Sequence, residues 1–267
     1  DNKNKRIVSF DANEIIEATS IVGVDSFSEN VHKAKVTNLE PGTDYYYRVG
    51  DKNTNVWSNV GKFTTDNGDS SFSFIYMADM QSDAAGFDAA TYTVIKSMEK
   101  SKNAEFLINT GDFVNTPTSK LEWDGILKYN SFGNITSVAV AGNHDYDYIE
   151  KDPNVFSHHF NFDCDSEMAT EGGMYYSFDY GNVHFISVNA NDYLWGELTE
   201  TQTEWLLKDL QASQGADFRI VIMHRGVYTP GPHFYDYGDI KVLTEQLTPI
   251  FDEYNVDLVL QGHDHVY

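Results

Sequence analysis

Cysteine is nearly absent: Cys164 is the single one among 267 residues. That excludes an internal disulfide and any structural zinc site built from paired thiolates. Basic residues are also scarce, with 18 Lys and Arg against 41 Asp and Glu and a formal net charge of −23. A field of that sign repels polyanions, so nucleic acid polymers are excluded as partners. A single phosphate group would need a local cationic centre, which bound metal ions supply. Long apolar runs are missing too, and none approaches the ~20 residues needed to span a bilayer. The opening DNKNKRIVSF lacks the basic-then-apolar layout of a signal peptide, so any targeting segment is expected to lie outside this sequence. What remains is a globular composition, 41% hydrophobic and 14% aromatic, able to bury a core in one or two domains.

The first 66 residues read as all-β. NVHKAKVTNLEPGTDYYYRVGD holds an alternating strand, a turn at Pro41-Gly42 and a second alternating strand through Tyr45 and Tyr47. VWSNVGKFTT adds a further short strand, and TDNGDSS reads as a linker. From residue 67 onward, strands and helices alternate. FSFIYMAD, EFLINTGD, SVAVAGNHD, FRIVIMHR and VDLVLQGHDH are short apolar runs that end in polar residues. Helices are expected over Asp88–Lys100, Ser119–Tyr129, Thr199–Ala212 and Ile240–Tyr254. In the third, Trp205, Leu206, Leu207 and Leu210 form one apolar face. MYYSFDYGNVHFISVNA reads as a hairpin across Tyr180-Gly181-Asn182. The class is α/β, with functional groups expected beyond the carboxyl ends of the strands.

Those ends deliver, in order, Asp79, Asp112, Asn143 with His144, His224, and His263 with His265. Any one of them is an ordinary turn former or a surface histidine. Together they place two carboxylates, one amide and four imidazoles on one side of a sheet. Glycine precedes Asp112, Asn143 and His263, where it permits sharp turns toward a common centre. Mixed nitrogen and oxygen ligands suit Zn, Fe, Mn or Co rather than Ca. One carboxylate can bridge two such ions, an arrangement built for in-line displacement at phosphorus. In the closing GHDH, the residue between the two histidines sets both imidazoles on one side of an extended chain, with Asp264 turned away.

MADMQ, TGDFVN, AGNHDY, IMHRG and GHDH, in this order and spacing, resemble the motifs of calcineurin-type metallophosphoesterases. With the β segment ahead of them, the chain is similar to purple acid phosphatases and their bacterial relatives. The resemblance implies a four-layer metallophosphoesterase sandwich, two mixed sheets flanked by helices, over residues 67–267. Before it would stand a partial fibronectin III-like domain over residues 1–66. It implies missing chain on both sides, since about 65 residues are too few for such a sandwich and the family continues past GHDH. Two divalent or trivalent ions, Fe, Zn or Mn, would be bound, with Asp112 bridging. Asp79 and His265 would hold the first metal, and Asn143, His224 and His263 the second. A metal hydroxide would attack the phosphate of a small ester, with monoesters favoured and diesters or nucleotides as the alternative. His144 would contact the phosphate or protonate the leaving group, and His233, in HRGVYTPGPHF, would also face the substrate. Arg225 and Asp145 are further candidates for substrate contact. A secreted or cell-surface bacterial protein fits this picture; a non-catalytic adhesion module with a vestigial metal core is the reading from a different class.

Two positions depart from the family. Asn115 stands where purple acid phosphatases carry the tyrosine whose phenolate colours ferric iron, and Gln81 stands where a first-motif histidine is common. An amide oxygen of either, or water, would complete the first metal's shell. Phe234 replaces a second histidine frequent in plant relatives. His158 and His159 are read as packing or rim residues. Tyr146, Tyr148, Tyr228, Phe234, Tyr235 and Tyr237 either stack a nucleobase or pack the loops.

Overall fold

The computed structural model describes residues 14–24, 29–69, 71–81, 89–101, 103–128, 131–145, 154–160, 174–191, 198–235 and 239–266. Cys164, Tyr146, Tyr148, Tyr237 and the helix-end residues Asp88 and Tyr129 lie outside them, as do the side chains of Phe234 and Tyr235. The chain divides into two compact units, Asp1–Leu39 and Glu40–Tyr267. In the first, β1 (Thr19–Val24) pairs antiparallel with β2 (Glu29–Lys33).

The second unit opens with four short strands: β3 (Asp44–Tyr47), β4 (Gly50–Asp51), β5 (Val56–Trp57) and β6 (Gly61–Thr64). Gly42, at φ +60°, makes the turn expected at Pro41-Gly42. VWSNVGKFTT holds two strands rather than one. β5 pairs back on β4 while β6 pairs with β3, so the sequence changes partner in the middle. These strands lean on the rest of the unit through Tyr47, whose hydroxyl donates to the Gly133 carbonyl at 2.9 Å.

The α/β portion runs β7 (Phe74–Met77), α1 (Ala89–Lys100), β8 (Phe106–Asn109), α2 (Lys120–Leu127), β9 (Thr136–Ala139), α3 (Asn154–His159), β10 (Tyr176–Tyr180), β11 (Val183–Val188), α4 (Glu200–Ala212), β12 (Phe218–Met223), α5 (Asp239–Glu253) and β13 (Leu258–Gln261). Each expected helix is present, and Ser119 and Thr199 cap theirs by accepting from the Glu122 and Gln202 amides. The expected hairpin is β10–β11, closed by Gly181 at φ +57°. One helix escaped the sequence pattern: α3 has only six residues, too short for a periodicity to register.

β7, β8 and β9 form one sheet, parallel throughout its described strands. β10, β11, β12 and β13 form a second, mixed sheet with only the β10–β11 pair antiparallel. Alternation along the strands assigns each face. Phe106, Ile108, Val138, Val183, Phe185, Ile220 and Ile222 make one buried cluster that joins the two sheets. Ile186, Val188, Val221 and Met223, one residue out of phase, pack with Leu206 and Leu210 of α4 and Leu243, Leu247 and Phe251 of α5. The inner strands β8, β11 and β12 are buried along nearly their whole length, as strands covered on both faces are, whereas β10 alternates aromatic and polar residues. The intersheet layer is largely aromatic: Phe178 stacks on Phe185 at 4.9 Å, and Phe106 meets Phe185 edge-on at 5.7 Å. Because β7–β9 and β11–β13 run parallel within their sheets, the carboxyl ends of each set gather on one edge.

Candidate metal centre

Each proposed ligand lies within four residues of one of these strand ends. The chain turns there in an unusual way. Among the described residues, eight non-glycine positions have positive φ. Three are asparagines, which tolerate the left-handed region. The other five are Asp79, Gln81, Asp112, His263 and His265, with φ of 56°, 26°, 55°, 76° and 52°. Strain of this kind persists only where the surroundings over-determine it, and it concentrates at functional sites. It also corrects the expectation for GHDH. His263 and His265 do not alternate along an extended strand; two left-handed residues in a turn bring their rings inward. Asp264 does point elsewhere, being 8% exposed with its carboxylate accepting the His233 amide at 3.2 Å.

The side chains converge as two clusters that share one carboxylate. Asp112, His224 and His263 offer ligand atoms within 4.8 Å of one another, and so do Asp79, Asp112 and His265. Asn143 joins the first, its Oδ1 lying 3.0 Å from His224 Nε2. Glycine is required for this approach: a Cβ on Gly142 would stand 2.0 Å from Asp112 Oδ1.

Hydrogen bonds fix how the ligands face. His224 is fully buried, and its Nδ1 lies 2.8 Å from the Thr110 carbonyl. A carbonyl only accepts, so Nδ1 carries the proton and Nε2 is left as the ligand atom, the arrangement that orients metal-binding imidazoles. Asp112 Oδ1 accepts the His144 amide at 2.9 Å, and its Oδ2 accepts from Gln81 Nε2 at 3.1 Å. Asp79 accepts the His263 amide at 2.9 Å, and His265 Nε2 lies 3.6 Å from Asp79 Oδ1.

The electrostatics suit a cation. Burial raises the Asp79 carboxyl, and the Asp112 charge raises it further against the pull of His224. Burial acts on Asp112 in the same direction, but the His224 charge and hydrogen bond outweigh it and hold Asp112 below its usual value. His263 is pushed down to about 3 by burial, then by the positive charges of His224, His233 and Arg225. It is therefore neutral at ordinary pH, as a metal ligand must be, whereas His224, which burial lowers but the Asp112 and Asp79 carboxylates raise above its usual value, has to release a proton to an incoming ion. One buried and one partly buried carboxylate with imidazole nitrogens near them, and no lysine among the donors, fit two cations that share Asp112.

The remaining candidates separate. His144 is half-buried, with Nδ1 2.9 Å from the Asn115 carbonyl, so this nitrogen too is the protonated one. His233 is brought in: its ring stacks on His263 at 3.9 Å. Arg225 lies close enough for its charge to lower His263. Asp145 is not a substrate contact. It is fully buried, its Oδ1 accepts the Phe113 and Val114 amides at 2.8 and 3.2 Å, and its Oδ2 accepts the Gly142 amide at 2.9 Å. Burial and the nearby Asp112 push its carboxyl up to about 8. Asn115 is exposed and contributes its carbonyl, to His144. Gln81 donates to Asp112 and stands behind the ligand. His159 stacks on Trp123 at 4.0 Å, the packing role expected of it. Tyr228 is 65% exposed. Glu122 and Thr110 were missed. Glu122 carried a sequence signal, the capping-box spacing after Ser119, but its carboxylate goes to the Asn115 and Thr116 amides instead.

Comparison with known proteins points to the family that the motifs resemble. A family model described as Calcineurin-like phosphoesterase matches residues 72–267. A second, described as Purple acid Phosphatase, N-terminal domain, matches residues 4–65, the segment read above as fibronectin III-like. Purple acid phosphatase 15 of Arabidopsis thaliana is 24% identical over 89% of this chain and 49% of its own length. Acid phosphatase type 7 of Danio rerio is 25% identical over 89% and 57%. The structure of a purple acid phosphatase from yellow lupin (Lupinus luteus) seeds superposes with a TM-score of 0.69 at 18% identity, covering 93% of this chain and 50% of that one. The chain thus spans about half the length of the curated relatives it matches. Among the described residues no helix is long and apolar enough to cross a membrane.

Proposed function

The chain belongs to the calcineurin-like phosphoesterase family, and from that premise we propose that it hydrolyses phosphate esters, monoesters in preference to diesters, at a two-metal centre. One observation carries the reading: two ligand clusters, Asp79–Asp112–His265 and Asp112–His224–His263, share a single buried carboxylate. Fe, Zn or Mn ions are the proposed occupants, with Asn143 completing the second cluster. When bound, such ions polarise phosphoryl oxygens and lower the pKa of a water toward neutrality.

The chain's own residues do the rest. His144, with Nδ1–H tied to the Asn115 carbonyl, keeps Nε2 to carry a proton to the departing alkoxide. His233, held on His263 and Asp264, and Arg225 orient the phosphate oxygens. Asp112, fixed by the His144 amide and Gln81, ties the position of the acid to that of the cations. A vestigial core is disfavoured by the retention of Asp79, Asp112, Asn143, His224, His263 and His265, four of them under backbone strain. A fibronectin III-like build for the first strands and an extracellular or cell-surface location in a bacterium belong to the same proposal, and cell fractionation checks the location.

The test is metal analysis with rates on para-nitrophenyl phosphate and its bis ester, for the wild type and Asp112→Ala. The wild type should bind two metals and prefer the monoester; Asp112→Ala should lose both metal and rate. Retention of two metals and activity by Asp112→Ala would overturn the two-metal reading.

A further inference from the structure

Four consecutive backbone amides, Phe113 to Thr116, are all captured by two buried carboxylates. Asp145 Oδ1 accepts from Phe113 and Val114 at 2.8 and 3.2 Å. Glu122 Oε2 accepts from Asn115 and Thr116 at 2.8 and 2.7 Å. Glu122 is 2% exposed and lies in the first turn of α2. Its neighbour Trp123 pins the same loop by donating from Nε1 to the Pro117 carbonyl at 2.8 Å. The segment so fixed carries the Asn115 carbonyl, which receives His144 Nδ1–H at 2.9 Å. Two buried charge-assisted bonds to adjacent amides leave that carbonyl little freedom to swing.

We propose that Glu122 is a positioning residue for His144. Through the Asn115–Thr116 peptide it selects the imidazole's tautomer and aims Nε2 at the leaving-group oxygen. Asn115 fits this role. At the position where the family's coloured members place a metal-binding tyrosine, this chain uses the backbone carbonyl to steer the proton donor. The inference rests on the proposed phosphoesterase activity and on His144 as the acid.

A proton donor matters in proportion to the basicity of the leaving group. An alkyl phosphate needs it; para-nitrophenolate leaves without it. Loss of an oriented acid is worth ~10²–10⁴-fold. In the zinc-loaded protein, Glu122→Ala should lower kcat on glycerol phosphate by about 100-fold and on para-nitrophenyl phosphate by less than about fivefold. Glu122→Gln, whose amide oxygen can accept from both N–H groups, should recover most of the alkyl rate. Independently of turnover, ¹⁵N NMR should show His144 as the Nδ1–H tautomer in the wild type and as a tautomer mixture in Glu122→Ala. An unchanged tautomer, or an equal fall on both substrates, would sink the proposal. If the tautomer shifts in Glu122→Ala while His144→Ala itself fails to discriminate the two substrates, positioning stands and the general-acid role falls.

Discussion

Gly142→Ala probes the centre without removing a ligand. The added Cβ would stand 2.0 Å from Asp112 Oδ1, 2.3 Å from Asp112 N and 2.8 Å from Asp112 Cγ. Comfortable contacts lie near 3.5 Å, so Asp112 or the Gly142 turn must shift by more than ~1 Å. Two of the three contacted atoms belong to the one carboxylate common to both clusters, so neither cation position survives the shift. Overpacking of this kind costs about 1–3 kcal/mol. For a chain of this length that lowers Tm by about 2–12 °C, leaving a folded protein to assay. A displacement of ~1 Å at a reacting centre is worth ~10²-fold in rate, and lost metal adds to it. The assay is metal content after dialysis, para-nitrophenyl phosphate turnover and a thermal melt on the same sample. Gly215→Ala is the control, since its Cβ would meet nothing within 4 Å; it should be neutral or stabilise by about 0.4–1 kcal/mol. A Gly142→Ala protein that keeps two metals and stays within about threefold of the wild-type rate would refute the close approach of Gly142 and Asp112 as the site's geometric foundation.

Three further outcomes can be checked. His184 has Asp179 Oδ1 2.7 Å from Nδ1 and Asp209 Oδ2 2.9 Å from Nε2. Burial opposes its charge, but the Asp209 and then Asp179 bonds outweigh burial and raise its pKa. Its stabilising effect should be complete below roughly pH 6.5, the unfolded value, and fade as pH rises through the folded value. Urea unfolding of wild type against His184→Gln should therefore differ most on the acid side; a gap that widens with pH contradicts this. Iron-loaded protein should be colourless, because Asn115 supplies no phenolate, and its first metal should leave first under chelation; a purple band refutes it. Asp264→Leu should raise KM about tenfold or more with both metals retained, by releasing the His233 amide, while Asp264→Asn stays near wild type. Metal loss in step with the KM change would instead give Asp264 a role in holding the ligands.

The proposed ligands were legible because ligand chemistry is carried by residue type and by position after an apolar run. Asp79, Asp112, Asn143, His224, His263 and His265 announce themselves in that way, and so does the helix face through Leu206 and Leu210. The route of VWSNVGKFTT was not legible, since the choice of strand partner depends on hydrogen bonds across the fold. Nor was the part played by Asp145: beside two ligand-like residues it reads as a third, and only its burial against three amides shows it to be a buried anchor for the loop.

By itself, then, the sequence determined which groups are available for chemistry, their order along the chain, and the short apolar runs that precede them. Tertiary structure alone decided their directions. The left-handed turns at Asp112 and His263 are unfavourable locally and are adopted only because the surrounding hydrogen bonds and packing hold them there. The partner that orients His224 lies 114 positions away, and the one that steers His144 is a backbone carbonyl, an atom every residue carries. No residue type can advertise such a contact, because its energy depends on where the folded chain places it.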